Sequence, residues 1–407
     1  MKLKLTPIAI ICSALLVGGC SFDGTNDTTV DTPSTSVPGT DTDTDTDTDT
    51  DVTIDVASFT ADSIDPFELF LIDEQSYVLD GIEALYGEMT ENEDGTVKYT
   101  VSQMYQDQTD ILTFSFISAA SVQTVLTISE ENTYTAELSL SEYFKANPVD
   151  YNATTIAELI SRIEANEDVS LDPSGDYSTG VVTLSAPIAI DGNGAVFSGD
   201  ACILVTASGA TIQYLKFENE TLGMCSNDGA LGSDGYVGAV TINADSEAVN
   251  LKGLVFDAQN LTTTVKNDSW LAAHSKFTLS NSEFINMIDN KTNSQTEKNN
   301  AIFVRCATSS VNYSEITNNV FTINDVSSSN LAQLAAIKLG NSSGSDISSS
   351  SAGNLDCKVE IENNTFNQYG SDVVGNIDNS SDRPASIWTI DSNMSASYLE
   401  NNTFNLR

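Results

Sequence analysis

Three segments repeat one phrase at equal spacing. Ala239-Val240-Thr241-Ile242-Asn243, Trp270-Leu271-Ala272-Ala273-His274 and Ala301-Ile302-Phe303-Val304-Arg305 begin 31 residues apart both times. Each is an apolar run that closes on a side chain able to hydrogen-bond or carry charge. If the phrases are strands stacked in register at about 4.8 Å, then Asn243, His274 and Arg305 form one vertical row on the outside of the stack. Aligning Ala336-Ile337-Lys338-Leu339 with the third phrase sets Lys338 beside Phe303, and Ser386-Ile387-Trp388 puts Trp388 further along the same face. That face collects the only histidine and one of the two tryptophans. An imidazole, a guanidinium and an ammonium together suit proton transfer and charge neutralisation. Asn243, Phe303 and Trp388 add a hydrogen-bonding group and two aromatic rings to that face. The same residues also suit solvent-facing positions on a purely structural scaffold.

Such a row requires a solenoid, and the chain carries the signature of one. A short apolar strand followed by a Phe recurs at Leu215-Lys216-Phe217, Leu254-Val255-Phe256, Ser282-Glu283-Phe284, Asn319-Val320-Phe321, Asn364-Thr365-Phe366 and Asn402-Thr403-Phe404. The phenylalanines are 39, 28, 37, 45 and 38 residues apart, as expected when loops of unequal length leave a stack of equal strands. Asn281, Asn318, Asn363 and Asn401 each precede their Phe by three residues and are expected to stack as an amide ladder. A β-sandwich would also use alternating strands, but it has no need of the recurrent Asn-x-x-Phe phrase.

Upstream, Thr154 or Thr155 can cap a helix with Glu158, and Ile156, Leu159, Ile160 and Ile163 fall on one of its faces. Val169-Ser170-Leu171, Gly175-Asp176-Tyr177 and Pro187 to Gly194 follow. This order resembles the first coils of a right-handed parallel β-helix of the pectate-lyase-like superfamily, in which a helix covers the open end of the solenoid. The expected fold is all-β: a right-handed parallel β-helix with an N-terminal capping helix over residues 148–407, preceded by a small antiparallel β-domain over 55–147. The domain is expected from period-two runs at Val97, Tyr99 and Val101, at Leu112, Phe114 and Phe116, and around Val125 and Thr127.

The superfamily resemblance implies that polysaccharide is bound or cleaved along an outer face. If the chain is a lyase, Arg305 or Lys338 would act as base or carboxylate neutraliser and His274 as acid, with Trp388 and Phe303 stacking on sugars. This carry-over is by location only. Neither the paired aspartates of the superfamily's hydrolases nor a lyase block is present. The first expectation is therefore an interaction module for a glycan or another surface macromolecule, with a polysaccharide lyase or hydrolase as the alternative.

The chain's address is written at its N-terminus. Lys2 and Lys4 precede an apolar run from Leu5 to Val17, too short for a permanent span of about 20 residues. Residues 1–19 read as a signal peptide. Val17-Gly18-Gly19-Cys20 resembles the lipobox of bacterial lipoproteins, which implies lipidation of Cys20. Ser21 in place of Asp implies sorting to the outer membrane and the cell surface. Residues 20–54, with the Asp-Thr repeat from Asp41 to Asp51, read as a disordered acidic tether, because neighbouring carboxylates about 7 Å apart repel one another.

Fifty-eight acidic residues against sixteen basic ones give a net charge of −42. Phosphate backbones would be repelled, so nucleic acid is not expected as a partner. The chain is expected to be a monomer. Removing Cys12 with the signal and lipidating Cys20 leaves Cys202, Cys225, Cys306 and Cys357 for disulfides in an oxidising compartment. Local pairing gives Cys202 with Cys225 and Cys306 with Cys357; the other two pairings stay open. With no CxxC and no second histidine, no metal site and no cofactor is expected. Calcium on the Asp-Thr run or on Asp228, Asp234 and Asp245 is the one ion the carboxylates would suit.

Overall fold

In a computed structural model of the 407-residue chain, the described residues are 52–54, 59, 61–75, 77–118, 132–222, 225, 237–243, 246–261, 268–288, 300–305, 314–324, 335–340, 359–368, 374–378, 385–389 and 399–406. They lie in one compact unit, Asp49–Arg407. The signal peptide, Cys20, the Asp-Thr repeat and the Val125 region fall outside the described residues, as do Asp228, Asp234, Asp245, Cys306 and Cys357.

From Ala153 onward the chain winds through three parallel sheets of nine, seven and eight strands, here sheets 1, 2 and 3, so the expected parallel β-helix is present. Each turn runs from sheet 1 to sheet 2 to sheet 3. One turn comprises Val249–Lys252, Val255–Asp257 and Asp268–Ala273, and the next Phe277–Ser280, Glu283–Ile288 and Asn300–Arg305. Every strand pairs with its equivalent in the neighbouring turns. At the far end of sheet 3 Ala385–Thr389 inserts beside Ala335–Gly340, leaving the earlier strand Val374–Asp378 at the edge.

The corner between sheets 1 and 2 is the constant feature. From Gln213 onward two residues make it; the earlier corner, residues 192–195, has four, with Asn193 and Gly194 left-handed. In the two-residue corners the first adopts the left-handed conformation: Tyr214, Gly253, Asn281, Asn318, Asn363 and Asn401 all have φ between 51 and 60°. Glycine and asparagine tolerate that region, which explains their recurrence. The second residue points inward, and here the expected amide ladder is corrected by one position. Asn281, Asn318, Asn363 and Asn401 are exposed. The ladder is built by the residues after them. Ser282 N–H donates to Asn319 Oδ1, Asn319 N–H to Asn364 Oδ1 and Asn364 N–H to Asn402 Oδ1, each at 2.9 Å. The left-handed corner turns the first side chain out, so only the second can reach the next turn.

Two residues later comes the aromatic column. Phe217, Phe256, Phe284, Phe321, Phe366 and Phe404 stack with centroids 4.6 to 5.0 Å apart and planes within 12°. Phe197 and Tyr177 extend it toward the N-terminus. The column belongs to one continuous core that also receives Leu159 and Ile163 from the helix Ile156–Glu164. That helix starts with a capping box: Glu158 N–H donates to Thr155 Oγ1 at 3.3 Å, and Thr154 N–H donates back to Glu158 Oε2 at 2.7 Å. Burying its two aliphatic side chains contributes about 1.5 to 3 kcal/mol each and closes the first turn.

The N-terminal module has its own core, with Val97, Tyr99, Leu112, Phe114, Phe116, Leu138 and Phe144 at its centre. Tyr77–Ala84, Thr109–Ser118 and Asn132–Ser139 form an antiparallel sheet, and Val52–Thr53 adds a short parallel strand at its edge. Buried Asp110 accepts from the N–H groups of Tyr86 (2.9 Å) and Gly87 (2.8 Å) and from the Tyr99 hydroxyl (2.6 Å). The hydroxyl bond and burial push the Tyr99 phenol far above its ordinary range, burial being the larger cause. The module packs on the first turns of the solenoid at the corner between sheets 1 and 2. Glu88 pairs with Lys252, Tyr105 meets Tyr214 edge-on at 6.3 Å, and the Tyr151 hydroxyl donates to Gln103.

Candidate functional site

From Gln213 onward sheets 1 and 2 are joined by two residues, but both flanks of sheet 3 carry connections of very unequal length. Residues 220–236, 258–267, 289–299 and 325–334 lead into it, and 206–210, 274–276, 306–313 and 341–358 lead away. Variable connections on a rigid scaffold are where binding surfaces are usually built, so sheet 3 is the candidate face.

Its register follows the aligned phrases. Val240, Leu271, Ile302, Ile337 and Ile387 pair in one column, which faces the core. Thr241, Ala272, Phe303 and Lys338 form the adjacent, outward column, with which Trp388 is in backbone register. The row continues beyond the strand ends: Asn243 N–H donates to Val205 O at 2.9 Å and His274 N–H to Ile242 O at 3.0 Å, and Arg305 pairs with Gly340. Asn243, His274 and Arg305 thus occupy equivalent positions in three successive turns.

Burial divides the row. Arg305 is exposed and Asn243 half-buried, but His274 is 5% exposed, Lys338 4% and Phe303 0%. The expectation that Phe303 offers a ring face to a sugar is therefore corrected. Its ring packs with Ala272 in a small apolar cluster on the outside of the sheet and lies 5.8 Å from the His274 ring. A Cβ on Gly340 would come within 3.2 Å of the Phe303 ring, so the absence of a side chain there accommodates it. Lys338 is likewise enclosed on this face and offers little surface to a partner. Trp388 lies in register with Lys338; its side chain falls outside the described residues.

The disulfide Cys202–Cys225 lies on the same sheet and packs with Leu204. Composition alone had favoured this local pairing. Among the described residues no group of three or more His, Cys, Asp and Glu side chains could hold a metal ion.

Acidic residues are commoner in the strands of sheets 1 and 2 than in those of sheet 3. The sheet 3 strands hold Asp268 and Asp378, whose side chains lie outside the described residues, and the basic Lys338 and Arg305. Sheet 1 carries Asp172, Asp176, Asp191, Glu315, Glu360, Glu362 and Glu400 with Lys252, and sheet 2 carries Glu218, Asp257 and Glu283 with Lys216. On sheet 1, Glu315 pairs with Glu360 and Glu362 with Glu400 in neighbouring turns. Burial and then Glu400, Glu360 and Glu315 raise the Glu362 carboxyl above the usual carboxylate range. This separation was not read from the sequence, because the acids are spread evenly along the chain and only the three-sided winding sorts them. Buried polar residues at the start of sheet 3 were also missed: Ser269 and Asn300 pair in register, and Asn300 Oδ1 accepts from Ala335 N–H at 3.1 Å.

Comparison of the chain with protein-family models, curated proteins and solved structures finds no match.

Proposed function

We propose that the β-helix is an interaction module that receives an acidic glycan, or another acidic surface macromolecule, along sheet 3. The observation that carries this reading is Arg305, exposed in the same row as Asn243 and His274 on the face flanked by the variable connections, in a chain of net charge −42. Long-range repulsion slows the approach of an anionic chain, but screening over about 8 Å at physiological ionic strength leaves local charge to decide the contact. Arg305, exposed in the row, is the residue that would meet a carboxylate or sulfate, and Asn243 lies in the same row two turns away. The lipobox-like Val17-Gly18-Gly19-Cys20 and the acidic tether support placement of this module on the outer membrane through lipidated Cys20.

The resemblance to the pectate-lyase-like superfamily keeps cleavage as a second reading, with His274 and Arg305 as its acid and base. Enclosure of His274, Lys338 and Phe303 favours binding without turnover. The test is a panel of neutral, uronate-containing and sulfated polysaccharides presented to the unit from Asp49 onward. Binding confined to acidic polymers and lost in Arg305→Ala supports the module. New ultraviolet absorbance from an unsaturated sugar would establish the lyase instead, and binding that ignores both polymer charge and Arg305 would remove the proposed face. Metabolic labelling with a fatty acid, abolished in Cys20→Ala, tests the anchor.

A further inference from the structure

The corner between sheets 1 and 2 changes character along the solenoid. In the last four turns its left-handed residue is an exposed asparagine, whereas in the first three the left-handed residues are buried Asn193 with Gly194, then Tyr214, then Gly253. Of these, Gly194 and Tyr214 meet the N-terminal module, and Gly253 lies against Tyr214. A Cβ on Gly194 would lie 3.2 Å from the Met104 Cα, and one on Gly253 would lie 2.6 Å from the Tyr214 ring, whose other neighbour is Tyr105. Lys252 Nζ lies 5.7 Å from the centre of the Tyr214 ring and pairs with Glu88 of the module.

We propose that this stretch of corner is a clasp for the N-terminal module and that ionic strength sets whether it is closed. Residues 55–147 carry eighteen acidic residues and two lysines, and residues 148–407 carry thirty-one acids and twelve bases. Two bodies of net charge −16 and −19 are thus held in contact. The two bodies have separate cores, and the described contact between them includes one ion pair, an edge-on tyrosine pair, one hydrogen bond, the approach of Met104 to Gly194 and Val149 packed on the module's core. At about 0.01 M salt the screening length is about 30 Å, larger than the radius of gyration of about 13 Å expected for a module of ~100 residues. Repulsion then acts between the whole bodies. At about 0.15 M it is confined to about 8 Å, and the aromatic contact and the ion pair prevail. The solenoid's apolar core and the module's own core do not depend on the clasp, so opening leaves both folded.

Small-angle X-ray scattering from the compact unit Asp49–Arg407, which omits most of the acidic tether, extrapolated to zero concentration, tests this when paired with far-ultraviolet circular dichroism on the same samples. The expected result is a longest dimension that increases at about 0.01 M NaCl relative to about 0.5 M, with the β signal unchanged. Lys252→Glu sets a like charge against Glu88 and should open the clasp already at about 0.15 M. Combining it with Glu88→Lys should close it again. An unchanged dimension at the lowest salt in both the parent and Lys252→Glu overturns the proposal. So does loss of the β signal together with the expansion, because salt would then be acting on the fold itself.

Discussion

Asn319 and Asn364 lie one turn apart in the solenoid, and the Nδ2 of Asn319 donates to the Oδ1 of Asn364 at 2.9 Å, while both side chains are 1% exposed. The same oxygen also accepts from Asn319 N–H, so one buried amide satisfies two donors of its neighbour. Each asparagine therefore fastens the corner of the turn before it.

Asn364→Ala should be among the costliest substitutions in the solenoid. It removes the acceptor of both Asn319 donors and the donor to Ile316 O (2.8 Å) and Glu362 O (2.9 Å). A buried polar group left without a partner costs about 1 to 3 kcal/mol, so a loss of about 3 to 4 kcal/mol is expected in urea unfolding. The adjacent Asn363→Gly, at φ 57°, should change stability by less than about 1 kcal/mol. Equal costs at the two positions would contradict the ladder.

Asp110→Ala should destabilise the N-terminal module by about 3 kcal/mol or more, because it removes the acceptor of four donors, the N–H groups of Tyr86, Gly87 and Ile111 and the Tyr99 hydroxyl. Hydrogen exchange read segment by segment should show protection falling in residues 77–118 and retained in the strands from Val249 onward.

Phe303 and Arg305 stand two residues apart but should respond oppositely to truncation. Phe303→Ala empties a fully buried position and should cost about 3 to 5 kcal/mol in thermal or chemical unfolding. Arg305→Ala, at an exposed position, should leave the unfolding midpoint nearly unchanged and act on binding alone.

Acidification should strengthen the far end of sheet 1. The Glu362 carboxyl is raised in the folded state above its ordinary value of 4.5, so ionisation is less favourable folded than unfolded. Its unfavourable contribution is present above the folded pKa and is relieved as pH falls through that value toward the unfolded one. Glu362→Gln should raise the urea midpoint at neutral pH and reduce the midpoint gain seen in the parent between neutral pH and the carboxylate range. A gain of the same size in both proteins would assign it to other groups.

Much of the architecture was legible. Phe217 to Phe404 announced the stack, because a residue buried in every turn must recur with the turns whatever the loops between them do. Thr154, Thr155 and Glu158 announced the cap through contacts that are local in the chain. The ladder was misplaced by one residue because Asn363-Asn364 and Asn401-Asn402 are doublets. Which member points inward depends on a left-handed φ that composition does not reveal. In the candidate site, the equal spacing of Asn243, His274 and Arg305 predicted their common register. Their unequal exposure depends on what packs over the sheet.

The amino-acid sequence by itself determined the periodic elements of this protein: strand phrases, corner residues and the capped helix, all set by side-chain pattern and backbone preference over a few residues. Tertiary structure alone decided three further things: which carboxylates share a face, which outward side chains are enclosed, and where the N-terminal module rests. These depend on contacts between residues tens of positions apart, such as Glu88 with Lys252, whose proximity exists only after the chain has wound.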